Sequence, residues 1–238
     1  MTSPRLERFP GLDGACSRAA QLTAQALADA CAARGHASLA LSGGSTPGAY
    51  FRALAASGLS VNSLAWPSID VFWADERLCP PDAPESNYRL ARENLLARIA
   101  GEGPRVHPMP TDAPDLDAAV AQARAMLAAA FPGGGIPVFD VIHLGLGPDG
   151  HTASLFPGDP ALEETAWVAG VPRPGLDPRL PRLTLTLPVI NAARLVLVLA
   201  AGADKLQLAG DILAGRRPEL PAARLRPARE LVWLIADA

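Results

Sequence analysis

Asp149 and His151 stand two residues apart on a glycine-rich turn, Gly145-Leu146-Gly147-Pro148-Asp149-Gly150-His151-Thr152-Ala153-Ser154-Leu155-Phe156-Pro157-Gly158. A histidine titrates near neutrality, so a neutral imidazole can take a proton from water and act as a general base. The apolar run before the turn, Val138–Leu144, reads as a buried parallel-type strand. Three glycines then let the backbone turn sharply and approach a ligand closely. Open α/β sheets place their ligands at the carboxyl ends of strands, where this turn falls. His151 is therefore the candidate base, and Asp149 orients either the turn or the imidazole. On local evidence a loop histidine bonded to the backbone stands beside that reading.

A second stretch, Ser42-Gly43-Gly44-Ser45-Thr46-Pro47-Gly48, joins the short strand Ser38–Leu41 to a helix running through Leu54. Pro47 suits the first turn of that helix. Free N–H groups and the positive end of a helix favour an anion there. Gly43 and Gly48 have Walker A spacing, but Ala49 stands where the lysine must be, so a single phosphate fits and a nucleoside triphosphate does not. An ordinary glycine turn is the alternative. A third stretch, Asp75-Glu76-Arg77, follows the strand Ile69–Trp73. Its charges belong either to a ligand site or to a solvated strand exit with a local ion pair. The fourth candidate is Lys205, the only lysine in the chain, in the first turn of a helix Asp204–Leu213.

The elements that must position these residues alternate strand and helix. Helical spacing marks Cys16–Arg34, closed by Gly35, and Asp115–Phe131, stopped by Pro132-Gly133-Gly134-Gly135. Ser86 reads as the N-cap of a helix through Ile99, with Tyr88, Leu95 and Leu96 inward. Val106–Pro114 reads as a connection. Further strands are expected at Trp167–Val171, Leu183–Leu187, Leu195–Leu199 and Leu231–Ile235. A basic, proline-rich loop with Arg173, Arg179 and Arg182 lies between the first two of these. The class is α/β, a doubly wound, mainly parallel sheet flanked by helices. Residues 1–238 are expected to form one domain, with an irregular lobe around 155–190.

Composition narrows the function. The chain has 238 residues, 49% hydrophobic and 19% charged, and a net charge of −3, which is globular and offers no general attraction to nucleic acid or an anionic membrane. Three scattered cysteines, Cys16, Cys31 and Cys79, form neither a disulfide framework nor a zinc pattern. The first 22 residues lack a signal-peptide core, and the longest apolar run, Leu195–Ala201, is too short to span a bilayer. A cytoplasmic protein is expected. Gly145, Gly147 and Gly150 satisfy G-x-G-x-x-G, but Pro157 and Gly158 cut off the helix that a dinucleotide site requires. No HExxH or G-x-S-x-G pattern appears. His143 reads as a satisfied core histidine, and His36 and His107 as surface or loop residues.

Taken together, these stretches resemble the 6-phosphogluconolactonases, within the wider fold group of glucosamine-6-phosphate deaminase and ribose-5-phosphate isomerase. The matching pieces are Leu41–Pro47, Trp73–Arg77, Ser86-Asn87-Tyr88, Gly145–Pro157, Arg182–Pro188 and Gly202-Ala203-Asp204-Lys205, in family order and over most of the chain. The resemblance implies hydrolysis of the δ-lactone of 6-phosphogluconate. It implies catalytic roles for His151, Asp149 and Arg77. Substrate and phosphate contacts fall to Ser42, Gly43, Gly44, Ser45, Thr46, Asp75, Glu76, Arg77, Arg182 and Lys205, with Arg173 a weaker candidate. No metal or organic cofactor is implied, and the partner is a phosphorylated sugar lactone bound by a monomer. The deaminase branch shares Asp149-Gly150-His151 but continues with a catalytic glutamate. Here Leu155-Phe156-Pro157-Gly158 supplies no carboxylate. A non-catalytic sugar-phosphate sensor is the remaining alternative, and the chain has no room or charge for an accompanying DNA-binding element.

Overall fold

The structure, a computed structural model, describes residues 3–44, 46–56 and 66–237. Seven strands form one parallel sheet: β1 (Arg5–Phe9), β2 (Ala37–Leu41), β3 (Ile69–Trp73), β5 (Arg105–His107), β6 (Val141–Leu144), β9 (Leu195–Ala201) and β10 (Glu230–Ala236). Their spatial order is β1-β10-β9-β6-β2-β3-β5. The central strands β2, β6 and β9 are apolar and buried along almost their whole length, as a sheet covered on both faces requires. Helices α1 (Leu12–Arg34), α2 (Pro47–Ala56), α3 (Asn87–Asn94), α4 (Leu116–Ala130), α5 (Leu187–Ala192) and α6 (Ala203–Leu213) flank the strands. Among the described residues, no helix is long and apolar enough to cross a membrane.

A second, antiparallel sheet of three strands pairs β4 (Asp75–Arg77) with β8 (Arg182–Leu185) and β8 with β7 (Val168–Val171). The strands expected at Trp167–Val171 and Leu183–Leu187 thus pair with each other, apart from the main sheet. Register sets the site. Leu41 pairs with Trp73, Ala40 with Ile142 and Leu144 with Val198, so β2, β3, β6 and β9 end at the same edge. The turns after them therefore open into one place. There the chain order reverses between the neighbours β2 and β6, the position where such sheets open a crevice.

Several elements differ from the sequence reading. β1 and β5 were not expected, because Arg5-Leu6-Glu7-Arg8-Phe9 and Arg105-Val106-His107 carry the charges of sheet edges and not the apolar run of a core strand. The helix capped by Ser86, whose hydroxyl accepts from the N–H of Arg89, ends at Asn94, and a short 3₁₀ turn covers Leu96–Arg98. Strand β8 stops at Leu185, since Leu187 and Pro188 open the first turn of α5 instead of extending a strand. His143 is core, but not satisfied: neither ring nitrogen has a partner among the described residues, and the ring stacks on Tyr50 with centroids 4.6 Å apart. His107 is not a loop residue. It lies on β5, stacks on Phe72 at 4.4 Å and places Nε2 2.7 Å from Asp70.

Candidate functional site

A cavity of about 210 Å³ lies at the carboxyl edge of β2, β3, β6 and β9. The glycine-rich turn after β6 forms one wall. The N–H of Gly147 donates to the carbonyl of His151 at 2.8 Å, and that of Gly150 to Gly147 at 3.1 Å. Gly150 has φ +79°, and a Cβ there would come within 2.8 Å of Leu220. At Gly147 the constraint is the histidine itself, since a Cβ would lie 2.0 Å from His151 Nδ1. Glycine at 147 thus lets the imidazole lie against the backbone.

Asp149 holds the same imidazole from another side. Its Oδ1 accepts the backbone N–H of His151 at 3.1 Å and lies 2.5 Å from Nδ1. A carboxylate offers no proton, so Nδ1 of the neutral ring carries one and Nε2 keeps the lone pair. This is the tautomer a general base at Nε2 needs.

Charge is concentrated on the opposite wall. Arg77 on β4 is the direct partner of Arg182 on β8. Like charges facing each other across strands repel unless an anion lies against them. Both Nε atoms are buried without a hydrogen-bond partner among the described residues. Arg77 Nη1 donates to the carbonyl of Glu85, and Arg182 Nη2 to Leu176 and Pro178 at 3.3 and 3.0 Å. Burial pulls the Arg182 guanidinium below its ordinary pKa; Arg77 adds to this, and Asp75 opposes it. Lys205 enters from the first turn of α6, behind Gly202 at φ +118°. The Ser42–Thr46 loop and the start of α2 complete this end.

Asp75 and Glu76 have separate surroundings. The two oxygens of Asp75 accept from the hydroxyls of Ser42 and Ser154, each at 2.8 Å, and its carbonyl accepts from Asn87 Nδ2 at 2.8 Å. Glu76 turns inward, 2% exposed. Its carboxylate accepts the backbone N–H groups of Arg77, Asn87 and Tyr88 at 2.7–2.8 Å and the hydroxyl of Ser86 at 3.2 Å. Burial raises its pKa against the pull of those N–H groups.

The cavity therefore gathers Ser42, Gly43, Gly44, Thr46, Asp75, Arg77, His151, Arg182 and Lys205. Ser45 lies outside the described residues. Glu76, expected among the substrate contacts, does not line the cavity: backbone donors occupy its carboxylate, and it clamps the start of α3. The ion pair of Arg77 with Asp75 or Glu76, the other reading of that stretch, is absent among the described residues. Asp149 reaches the cavity only through His151. Arg173 is exposed and away from it. Sequence reasoning assigned no role to Ser154, since its partner Asp75 is 79 residues away and no local spacing announces the contact. Among the described residues, no cluster of three histidine, cysteine or acidic side chains could hold a metal.

A model of the family described as glucosamine-6-phosphate isomerases/6-phosphogluconolactonase matches residues 12–233. The chain belongs to this family. Within it, the 6-phosphogluconolactonase of Synechocystis is 43% identical over 210 residues, covering 87% of this chain and 84% of that protein. The human 6-phosphogluconolactonase is 39% identical over 222 residues, covering 92% and 86%. A solved 6-phosphogluconolactonase from Trypanosoma brucei superposes with a TM-score of 0.85 at 30% identity, covering 99% of this chain and 97% of that one. The fold extends to a monomeric glucosamine-6-phosphate deaminase, with a TM-score of 0.78 at 21% identity.

Proposed function

We propose that this chain hydrolyses 6-phospho-D-glucono-1,5-lactone to 6-phosphogluconate. The observation that carries the reading is the facing pair Arg77 and Arg182, two cations whose buried Nε atoms have no partner among the described residues, in the same cavity as His151. One end suits a phosphate and the other an activated water. The relatives named 6-phosphogluconolactonase at up to 43% identity support the choice of substrate.

In this reading the phosphate sits against Arg77, Arg182 and Lys205, with the Ser42–Thr46 loop and the start of α2 supplying N–H groups and hydroxyls. The lactone carbonyl then lies near the turn after β6. His151 Nε2 takes a proton from water as its oxygen bonds to the lactone carbon, and N–H groups of the turn stabilise the oxyanion. Asp149 steadies the imidazolium. The C–O bond of the ring then breaks, and His151 returns its proton to the departing ring oxygen. A general base typically contributes about 10²–10⁴-fold. The steps call for no metal or organic cofactor. The reading takes the protein as a cytoplasmic monomer.

Deamination of glucosamine 6-phosphate is the second reading. Asp75 is the one carboxylate lining the cavity among the described residues, and two hydroxyls already occupy it. That leaves no free acid for amine chemistry.

The test is freshly made lactone coupled to 6-phosphogluconate dehydrogenase, following NADPH formation above spontaneous hydrolysis. A protein-dependent rate is expected, with His151→Ala losing turnover while binding persists. Lys205→Ala and Arg77→Ala should lower kcat/KM. Wild-type kcat in His151→Ala would refute the base, and no rate in the native protein would refute the reaction.

A further inference from the structure

His151 has a third neighbour besides Asp149 and Gly147. The ring of Phe156 lies with its centroid 4.6 Å from that of the imidazole, tilted by 36°. The same ring has the Arg182 guanidinium carbon 5.3 Å from its centroid. Phe156 is 3% exposed and does not line the cavity, so it acts on the reaction only indirectly, and these two side chains are its ring contacts with residues that do line it. We propose that Phe156 is a positioning residue that holds His151 in the Nδ1–H tautomer and ties its orientation to Arg182.

One hydrogen bond to Asp149 leaves the imidazole free to swing about its side-chain torsions. A ring packed against it and the Gly147 backbone on another side remove that freedom. An imidazole that turns away from Asp149 loses the partner that fixes its tautomer. Asp149 on its own turn pairs with it, and the charged groups that share its cavity are Asp75 and Arg77 on β4, Arg182 on β8 and Lys205 on α6. Of these, Arg182 also contacts the phenyl ring, where a cation is attracted to an aromatic face. The packing thus links the proposed phosphate end to the proposed water end, and its kinetic arm rests on the hydrolase reading.

The test compares the whole protein with Phe156→Leu, Phe156→Met and Phe156→Tyr. Imidazole ¹⁵N NMR, with His151 assigned by comparison with His151→Gln, reads the tautomer without any assay of activity. Native protein and Phe156→Tyr should show Nδ1–H, while the leucine and methionine variants should shift toward Nε2–H. In the coupled assay those two should lose roughly tenfold or more in kcat with KM little changed, as expected for a displaced base. Tyrosine should restore most of it. Methionine is unbranched and fills the space if leucine does not fold. Native protein lacking the Nδ1–H form overturns the proposal. So does a folded aromatic-free variant that keeps that form, whatever its kcat. A native protein that hydrolyses no lactone refutes the hydrolase reading alone, and the tautomer still decides the role of Phe156.

Discussion

The Oδ2 of Asp75 accepts the hydroxyl of Ser154 at 2.8 Å, three residues beyond His151. The Oδ1 of the same carboxylate accepts Ser42 at 2.8 Å, at the start of the proposed phosphate loop. One buried side chain therefore fastens both working loops to the start of β4. Asp75→Asn keeps an acceptor for one hydroxyl and turns a donor toward the other, which must then accept instead of donate. A loss of roughly 1–3 kcal/mol in stability is expected, read by urea unfolding. Because both loops loosen, kcat should fall and KM should rise together. A change in KM alone would mean that Asp75 serves only the phosphate end.

Asp149→Asn tests the tautomer from the other side. The amide can present either its oxygen or its NH₂ group to Nδ1, so the lone pair is no longer held at Nε2. The expected loss in kcat is about 10²–10⁴-fold, the range for general-base catalysis, with KM little changed. The double variant Asp149→Asn/His151→Ala should be no slower than His151→Ala, since the two residues act as one unit. Steady-state kinetics on the three proteins checks this.

Glu76 should behave as a structural residue. Glu76→Ala strips the acceptor from three backbone N–H groups and the Ser86 hydroxyl inside the protein. A cost of about 2–4 kcal/mol is expected in urea unfolding, with Glu76→Gln milder because one good acceptor remains. Glu76→Gln should retain most of its kcat. A large loss of turnover in a stable Glu76→Gln protein would return Glu76 to the chemistry.

His143 should make stability fall in acid. Burial pushes its pKa down to about 3. In the unfolded chain it titrates near 6.5. Between those values the unfolded state binds a proton that the folded state does not, so stability is lost as pH falls below about 6.5. One proton over the interval down to pH 5 amounts to about 2 kcal/mol. His143→Phe, which keeps a ring against Tyr50, should lack that component when urea unfolding is compared at pH 7 and 5. Equal pH dependence in both proteins would show that His143 is not the source.

The parts of this site legible in the sequence were those written locally. The turn after β6, the Ser42–Thr46 loop ahead of Pro47 and the Ser86 cap are each carried by a few adjacent residues whose backbone requirements are distinctive. The doubly wound sheet followed from buried runs such as Leu195–Leu199. The edge strands β1 and β5 were missed because one side of each lies open, and charge there breaks the apolar pattern. Glu76 shows the larger gap. A carboxylate beside Asp75 and Arg77 looks like a ligand, and only the fold reveals that three N–H groups already hold it. The pairing of Arg77 with Arg182 is likewise a property of strand register.

Lys205 is the one lysine of the chain, and its side chain is 15% exposed at the cavity. Amine-directed chemistry on this protein therefore has a single side-chain address. Reductive methylation with ¹³C-formaldehyde would place one lysine resonance in the NMR spectrum, and that resonance would report directly whether the cavity is filled. The same uniqueness means that amine acylation, which most proteins spread over many surface lysines, would here fall on the proposed anion site or on no side-chain amine at all.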